Sequence, residues 1–128
     1  MKKILLLNTK YREFGGEDSN ILDEKNFLSR DYDVEYLEFD NSDKLKISDY
    51  VSFFTNKNKQ SNKKLIDKIK TFNPDIVYVH NTWFKASVSI FEILEKFQIP
   101  TLIKLHNFRF YCTKTFFHKN HLNNCLLY

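Results

Sequence analysis

Short apolar runs alternate with longer amphipathic stretches along the chain, and the two patterns predict different elements. The apolar runs predict four β-strands, at residues 4–7, 34–39, 75–80 and 101–105. The first run is apolar at every position, which is typical of a strand buried on both faces. The stretches between them predict three helices, over about residues 16–30, from a capping Ser61 through Phe72, and over residues 86–97.

Residues at helical spacing mark each predicted helix, and those of the third helix are expected to face inward. They are Ile21, Leu22, Lys25 and Leu28 in the first helix, Leu65, Ile66, Ile69 and Phe72 in the second, and Ile90, Phe91, Leu94 and Phe97 in the third. Pro74 and Pro100 each stand between a helical pattern and an apolar run, where proline ends a helix and begins an extended segment. Residues 41–60 give no clear pattern, and residues 56–60 are predicted to be a polar loop.

Alternating strand and helix patterns indicate a parallel sheet, because a crossover through a helix returns the chain in the same direction. A chain of 128 residues holds about one domain with one core. No internal repeat or linker divides it. We therefore expect a single α/β, Rossmann-like domain over residues 1–128, with helices on both faces of the sheet.

The two glycines of the chain are adjacent, at Gly15 and Gly16, where average usage predicts roughly nine glycines spread along such a length. They follow the first predicted strand, and open parallel sheets bind ligands beyond the carboxyl ends of their strands. Glycine allows a ligand to approach the backbone closely, and amides at a helix start suit a phosphate. However, the dinucleotide fingerprint is absent, and Glu17 and Asp18 would repel an anion. A plain strand-to-helix turn therefore remains an alternative.

Histidine–asparagine pairs follow two successive strands that are predicted to be buried. His80 and Asn81 follow the third strand, and His106 and Asn107 follow the fourth. Parallel strands end at one edge of the sheet, so both pairs and the glycine loop are expected at the same edge. Hydrogen-bonding groups concentrated there predict a ligand site.

Three segments carry a family resemblance: Gly15-Gly16-Glu17 after the first strand, residues 74–81, and residues 105–112. Together they resemble the N-terminal domain of family 4 glycosyltransferases of the GT-B fold, over residues 1 to about 125. The segment His106-Asn107-aromatic-Arg109-x-x-Cys112 is similar to a subgroup associated with bacterial surface polysaccharide synthesis.

The resemblance implies a retaining glycosyltransferase that moves a sugar from a nucleotide-sugar donor to a glycan or lipid-linked acceptor. It implies no cofactor and no obligatory metal. Gly15 and Gly16 would line the cleft between two domains, and His106 would be the catalytic residue near the transferred sugar. The remaining implied substrate-binding residues are His80, Asn81 and Asn107 on the acceptor side, and Arg109, whose guanidinium suits a phosphate.

The same resemblance implies a second, donor-binding domain that residues 1–128 do not contain. We therefore expect a truncated or split product, inactive alone, or a chain completed by a partner that carries the donor domain. A non-catalytic sugar- or nucleotide-binding module is the alternative, because such a module needs only the cleft loops.

Cys112, His118, His121 and Cys125 have side chains that zinc favours, within a short segment. Their spacing differs from that of common zinc fingers, and cysteines here are also a feature of the related glycosyltransferases. We expect no bound metal.

The formal net charge is +4, and it is compatible with an anionic partner without requiring one. Residues 63–70 form a basic amphipathic stretch, which favours either packing on the sheet or weak association with an anionic membrane surface. No pattern of a nucleic-acid-binding motif is present. No apolar run is long enough for a secretion signal or a membrane span, so we expect a cytoplasmic protein, with peripheral association at the inner face of the membrane as an open alternative.

Overall fold

The structure is a computed structural model that describes residues 1–10, 16–40, 51, 55, 57–82 and 86–105, with the backbone alone at residues 16–18. Its elements follow in the order β1 (Lys3–Lys10), α1 (Gly16–Leu28), β2 (Asp33–Asp40), α2 (Lys59–Phe72), β3 (Ile76–Val79), α3 (Ser89–Lys96) and β4 (Thr101–Ile103). Both prolines lie between a helix and a strand, as the sequence predicts: Pro74 is two residues before β3, and Pro100 is directly before β4.

The four strands form one sheet in the order β2-β1-β3-β4, and all three pairings are parallel. The predicted parallel α/β architecture, of a Rossmann-like kind, is thereby confirmed. The connection after β1 leads to one side of the sheet, and the connection after β2 leads back across β1 to the other side. The reversal places a topological switch point between β1 and β3, where ligands of open parallel sheets bind.

The larger core lies between one face of the sheet and helices α2 and α3. Its buried members are Leu5, Leu7, Leu37, Phe39, Leu65, Ile69, Phe72, Val77, Val79, Ala86, Ile90, Ile93 and Leu94. Alternate residues of a strand point to opposite faces, so Leu6, Tyr78 and His80 face the other side. Glu24 of α1 contacts His80 there, so the helices cover both faces, as expected.

The prediction that Ser61 caps the second helix is wrong, as is the assignment of residues 59–60 to a loop. The helix begins at Lys59, and the side chain of Asn58 accepts hydrogen bonds from the amides of Gln60 and Ser61, each at 3.1 Å. Asparagine is among the strongest N-cap residues because its oxygen reaches these two unpaired amides. Ser61 is instead buried in the first turn.

Two positions of the predicted helical patterns are exposed, and one of them, Phe97, was expected to face inward. Phe97 and Leu22 are 41% and 47% exposed, respectively. The helix that was expected over residues 86–97 spans Ser89–Lys96 with Phe97 as its C-cap, and Ile93 packs in the core. In α1, Ile21 is the buried residue, and Leu22 is rotated away by one position.

The prediction that the fourth strand is buried is also wrong. All three residues of β4 are exposed, although β4 is apolar in sequence. Among the described strands β4 pairs with β3 alone, and an edge strand has a neighbour on one side only. An apolar run therefore does not distinguish an edge strand from a central one.

Candidate functional site

Buried polar residues concentrate at the carboxyl edge of the sheet. Among the described residues, the buried polar side chains are Asn8, Thr9, Asn58, Ser61, His80, Thr82, Ser87 and Ser89. These residues lie at the end of β1, after β3, or at the starts of α2 and α3, and in a parallel α/β fold all of these places are at the same edge. The core below this edge is apolar. Such a contrast is typical of a ligand site, because burying polar groups carries a cost unless they have partners.

The ends of β1 and β3 are joined beyond the apolar part of the sheet. The amide of His80 donates to the carbonyl of Leu7 at 2.9 Å, and the amide of Thr9 donates to the carbonyl of Asn81 at 3.0 Å. The Asn81 side chain returns a bond from Nδ2 to the carbonyl of Thr9, also at 3.0 Å. These bonds hold the end of β1 against the first two residues after β3, on the two sides of the switch point.

Glu24 of α1 is the centre of a charged cluster on the other face of the same edge. Its Oε2 lies 3.3 Å from Nε2 of His80, a charge contact without the alignment of a hydrogen bond. Its Oε1 accepts a hydrogen bond from Nζ of Lys104. The rings of Tyr78 and His80 pack with their centroids 4.4 Å apart. The cluster therefore links α1, β3 and the residue directly after β4.

The cluster shifts the pKa values of two of its members. Burial alone would raise the pKa of Glu24, but the Lys104 hydrogen bond, the charges of His80 and Lys104, and the Tyr78 hydroxyl together hold that pKa below its ordinary value. Burial first, and then the charge and hydrogen bond of the Glu24 carboxylate, raise the pKa of Tyr78 to about 12. Glu24 is therefore an anion at neutral pH and Tyr78 a neutral hydrogen-bond donor.

Two of the predicted site residues are engaged with the protein itself. The side chain of His80 has no exposed surface and faces Glu24, and Asn81 is half-buried and holds the end of β1. Gly16 is the first residue of α1 and has no positive φ, so its place in the chain does not depend on a left-handed conformation. Gly15, His106, Asn107 and Arg109 lie outside the described residues, and their roles stay predictions.

The structure adds Glu24, Tyr78, Lys104, Asn8 and Thr9 to the edge. Asn8 and Thr9 carried a usable signal, because they are the first polar residues after the apolar run of β1. The oxygen Oγ1 of Thr9 is buried and finds no hydrogen-bond partner in the part of the chain that the structure describes; such a group is usually satisfied by a ligand, a water or another segment. Nothing in the sequence marked Glu24 or Lys104 as site residues, because charged residues are common within helices and after strands.

The starts of α2 and α3 meet at this edge through polar contacts. Oγ of Ser89 donates to Oδ1 of Asn62 at 2.9 Å, and Ser87 and Ser89 bond to each other. Ser87 has a φ of 64°, a conformation that leads the chain into α3. The amide ends of the two helices are thus held side by side at the carboxyl edge.

The basic face of α2 does not leave an apolar surface exposed. Leu65, Ile69 and Phe72 are buried in the core, so packing on the sheet explains the amphipathic pattern. Nζ of Lys64 donates to the carbonyl of Glu38, and Lys68 forms an ion pair with Glu35. Any attraction of α2 to an anionic surface therefore depends on charge alone.

Among the described residues, no group of histidine, cysteine, aspartate and glutamate side chains is arranged to hold a metal ion. The four zinc-type residues Cys112, His118, His121 and Cys125 lie outside that part of the chain. No described helix is both long enough and apolar enough to cross a bilayer.

Comparison of this chain with protein-family models, with curated proteins and with solved structures finds no match. The fold and the arrangement at the carboxyl edge therefore carry the functional argument, together with the motifs in the sequence.

Proposed function

We propose that the chain is the N-terminal, acceptor-side domain of a GT-B glycosyltransferase of family 4, which transfers a sugar from a nucleotide-sugar donor to a glycan or lipid-linked acceptor. The observation that carries the proposal is the concentration of buried polar residues at the carboxyl edge, next to the switch point between β1 and β3. The glycine pair and both histidine–asparagine pairs follow strands that end at this edge.

The proposal assigns different tasks to the predicted residues. His80 and Asn81 support the site from within, because their side chains contact Glu24 and the end of β1. The backbone at Gly15 and Gly16 gives room for the substrate. His106 lies near the transferred sugar as the catalytic residue, Asn107 contacts the acceptor, and Arg109 binds a phosphate of the donor. Loss of a nucleoside diphosphate develops negative charge, which positioned cations and amides stabilise.

Two domains suit this chemistry, since a cleft that closes between them excludes water and limits hydrolysis of the donor. The proposal therefore includes a donor-binding domain, on the same gene or on a partner chain. Cytoplasmic nucleotide sugars would supply the donor, and a lipid-linked acceptor would bring the protein to the inner face of the membrane.

Ligand binding is the first test. Amide NMR spectra of the chain are recorded with uridine, guanosine and thymidine diphosphate sugars and with a panel of glycans. We expect saturable shifts at the ends of β1, β3 and β4 and at the start of α1. The variant Gly16→Val should weaken binding by about tenfold or more, because a branched side chain blocks close approach. Leu22→Ala, at an exposed position of the same helix, should bind normally.

Transfer is the second test. The DNA downstream of codon 128 is sequenced, and an encoded donor-binding domain is combined with the chain. Release of nucleoside diphosphate is then measured for the wild type, His106→Ala and Gly16→Val. Undiminished rates in both variants contradict the assigned site. Saturable sugar binding without transfer favours the non-catalytic binding module, and steeply salt-dependent binding of oligonucleotides contradicts both.

A further inference from the structure

Glu24 contacts the ends of two strands from a third element. Its carboxylate meets His80, which follows β3, and Lys104, which follows β4. Glu24 itself lies on α1, the helix that begins at Gly16. These three residues are far apart in sequence, so their meeting is a property of the tertiary structure. Each element of this cluster is adjacent to one of the loops that the proposed site requires.

The cluster is placed where electrostatic contacts are strong. The His80 side chain is 0% exposed, and those of Glu24 and Lys104 are 29% and 35% exposed. Charges at such depth are screened less by water than a surface pair. One carboxylate accepts a hydrogen bond from Lys104 and faces His80. Removing it leaves a buried imidazole and a half-buried ammonium without their shared anion, which is costly.

We infer that Glu24 is a positioning residue for the crevice: it holds α1 against the carboxyl ends of β3 and β4 through His80 and Lys104. The part of this inference that concerns ligand binding rests on the proposed function. Glu24 does not itself contact the substrate. It sets the distance between α1, the residues that follow β3 and the residues that follow β4, which begin with Lys104.

The decisive variant is Glu24→Gln, which preserves the shape of the side chain and removes its charge. The matched control is Glu35→Gln, because Glu35 pairs with Lys68 between β2 and α2, on the opposite face of the sheet. The side chains of that pair are 41% and 30% exposed, close to the values for Glu24 and Lys104. Glu24→Gln and Glu35→Gln therefore both lose the stability that an ion pair contributes, so this loss alone cannot produce a difference between them.

We expect Glu24→Gln to move the amide signals of His80, Lys104 and Leu105 together, and Glu35→Gln to leave them in place. The ring resonances of His80 should shift in Glu24→Gln and stay in place in Glu35→Gln, because the ring loses its contact with the adjacent carboxylate. Glu24→Asp, which retains the charge on a shorter arm, should restore most of the wild-type His80 ring resonances. It also serves as the second variant if Glu24→Gln does not fold.

The ligand measurement separates this inference from the proposed function. Glu24→Gln should weaken nucleotide-sugar or glycan binding by about fivefold or more, and Glu35→Gln should not. Signal changes confined to α1, or equal changes in both variants, overturn the positioning role, whether or not the wild type binds a sugar. Coupled changes at both strand ends in a protein that binds no sugar support the positioning role and overturn the proposed function.

Discussion

At the scale of single residues, the carboxylate of Glu24 makes the free energy of unfolding depend on pH in the acid range. Its pKa is lower in the folded chain than its ordinary value, so its ionised form contributes stability above the ordinary carboxyl range. That contribution is lost as the pH falls through the lowered pKa, because the folded chain must then bind a proton.

The expected outcome is a difference between the wild type and Glu24→Gln that shrinks on acidification. Free energies of unfolding in urea, measured from about pH 7 to about pH 3, should converge at the acid end. A constant difference across this range would mean that the Glu24 charge does not stabilise the fold.

Gln98 is a residue in an unusual backbone state, with a φ of 54° after the end of α3. A side chain in the left-handed region costs roughly 1 kcal/mol, a cost that glycine avoids. We predict that Gln98→Gly stabilises the chain by roughly 0.5–1 kcal/mol despite the larger entropy of the unfolded state. Glu92→Gly, at an exposed position inside α3, should destabilise it by about 1 kcal/mol. Thermal denaturation should show a higher melting temperature for Gln98→Gly and a lower one for Glu92→Gly.

At the scale of elements, α2 depends on its buried stripe. Leu65 is 0% exposed within the core between the sheet and α2, whereas Leu22 of α1 is 47% exposed. Leu65→Ala removes methyl groups from a packed interior and leaves a cavity, so we expect a loss of about 2–5 kcal/mol in the free energy of unfolding.

Leu22→Ala is the control for the same chemical change, and we expect less than about 0.5 kcal/mol from an exposed position. Chemical denaturation of both variants is the measurement. Equal losses in the two variants would contradict the finding that α2 packs in the larger core and that Leu22 of α1 does not.

At the scale of the whole molecule, we expect the exposed lysines of α2 to determine the strength of any contact with anionic lipid. Lys63 and Lys70 are exposed, whereas Lys64 is bound to the carbonyl of Glu38. Each exposed lysine near an anionic surface contributes about 1 kcal/mol. We predict weak binding to phosphatidylglycerol vesicles, and this binding should fall with added salt. The double variant Lys63→Gln/Lys70→Gln should bind more weakly than Lys64→Gln. Co-sedimentation measures it, and equal binding to neutral phosphatidylcholine vesicles would refute a charge-driven contact.

The architecture was predictable because its signals are local. Apolar runs at β1 and β3, helical spacing in α2 and the two prolines each depend on neighbours a few residues away. Errors arose where local signals compete or are silent. Asn58 and Ser61 are both good capping residues, and Asn58 lies in a polar stretch that reads as loop. The apolar sequence of β4 does not indicate that, among the described strands, β4 pairs with β3 alone.

The candidate site also has features that the sequence predicts and features that depend on the tertiary structure. Its place at the ends of the strands, and the polar pairs that follow them, were determined by the sequence alone, because the order of elements in a parallel fold decides which loops share an edge. Only the tertiary structure decided that His80 turns inward and that Glu24 and Lys104 meet it from distant parts of the chain. A contact between α1 and the ends of β3 and β4 leaves no periodic pattern, since it exists only when the sheet and its helix are packed together.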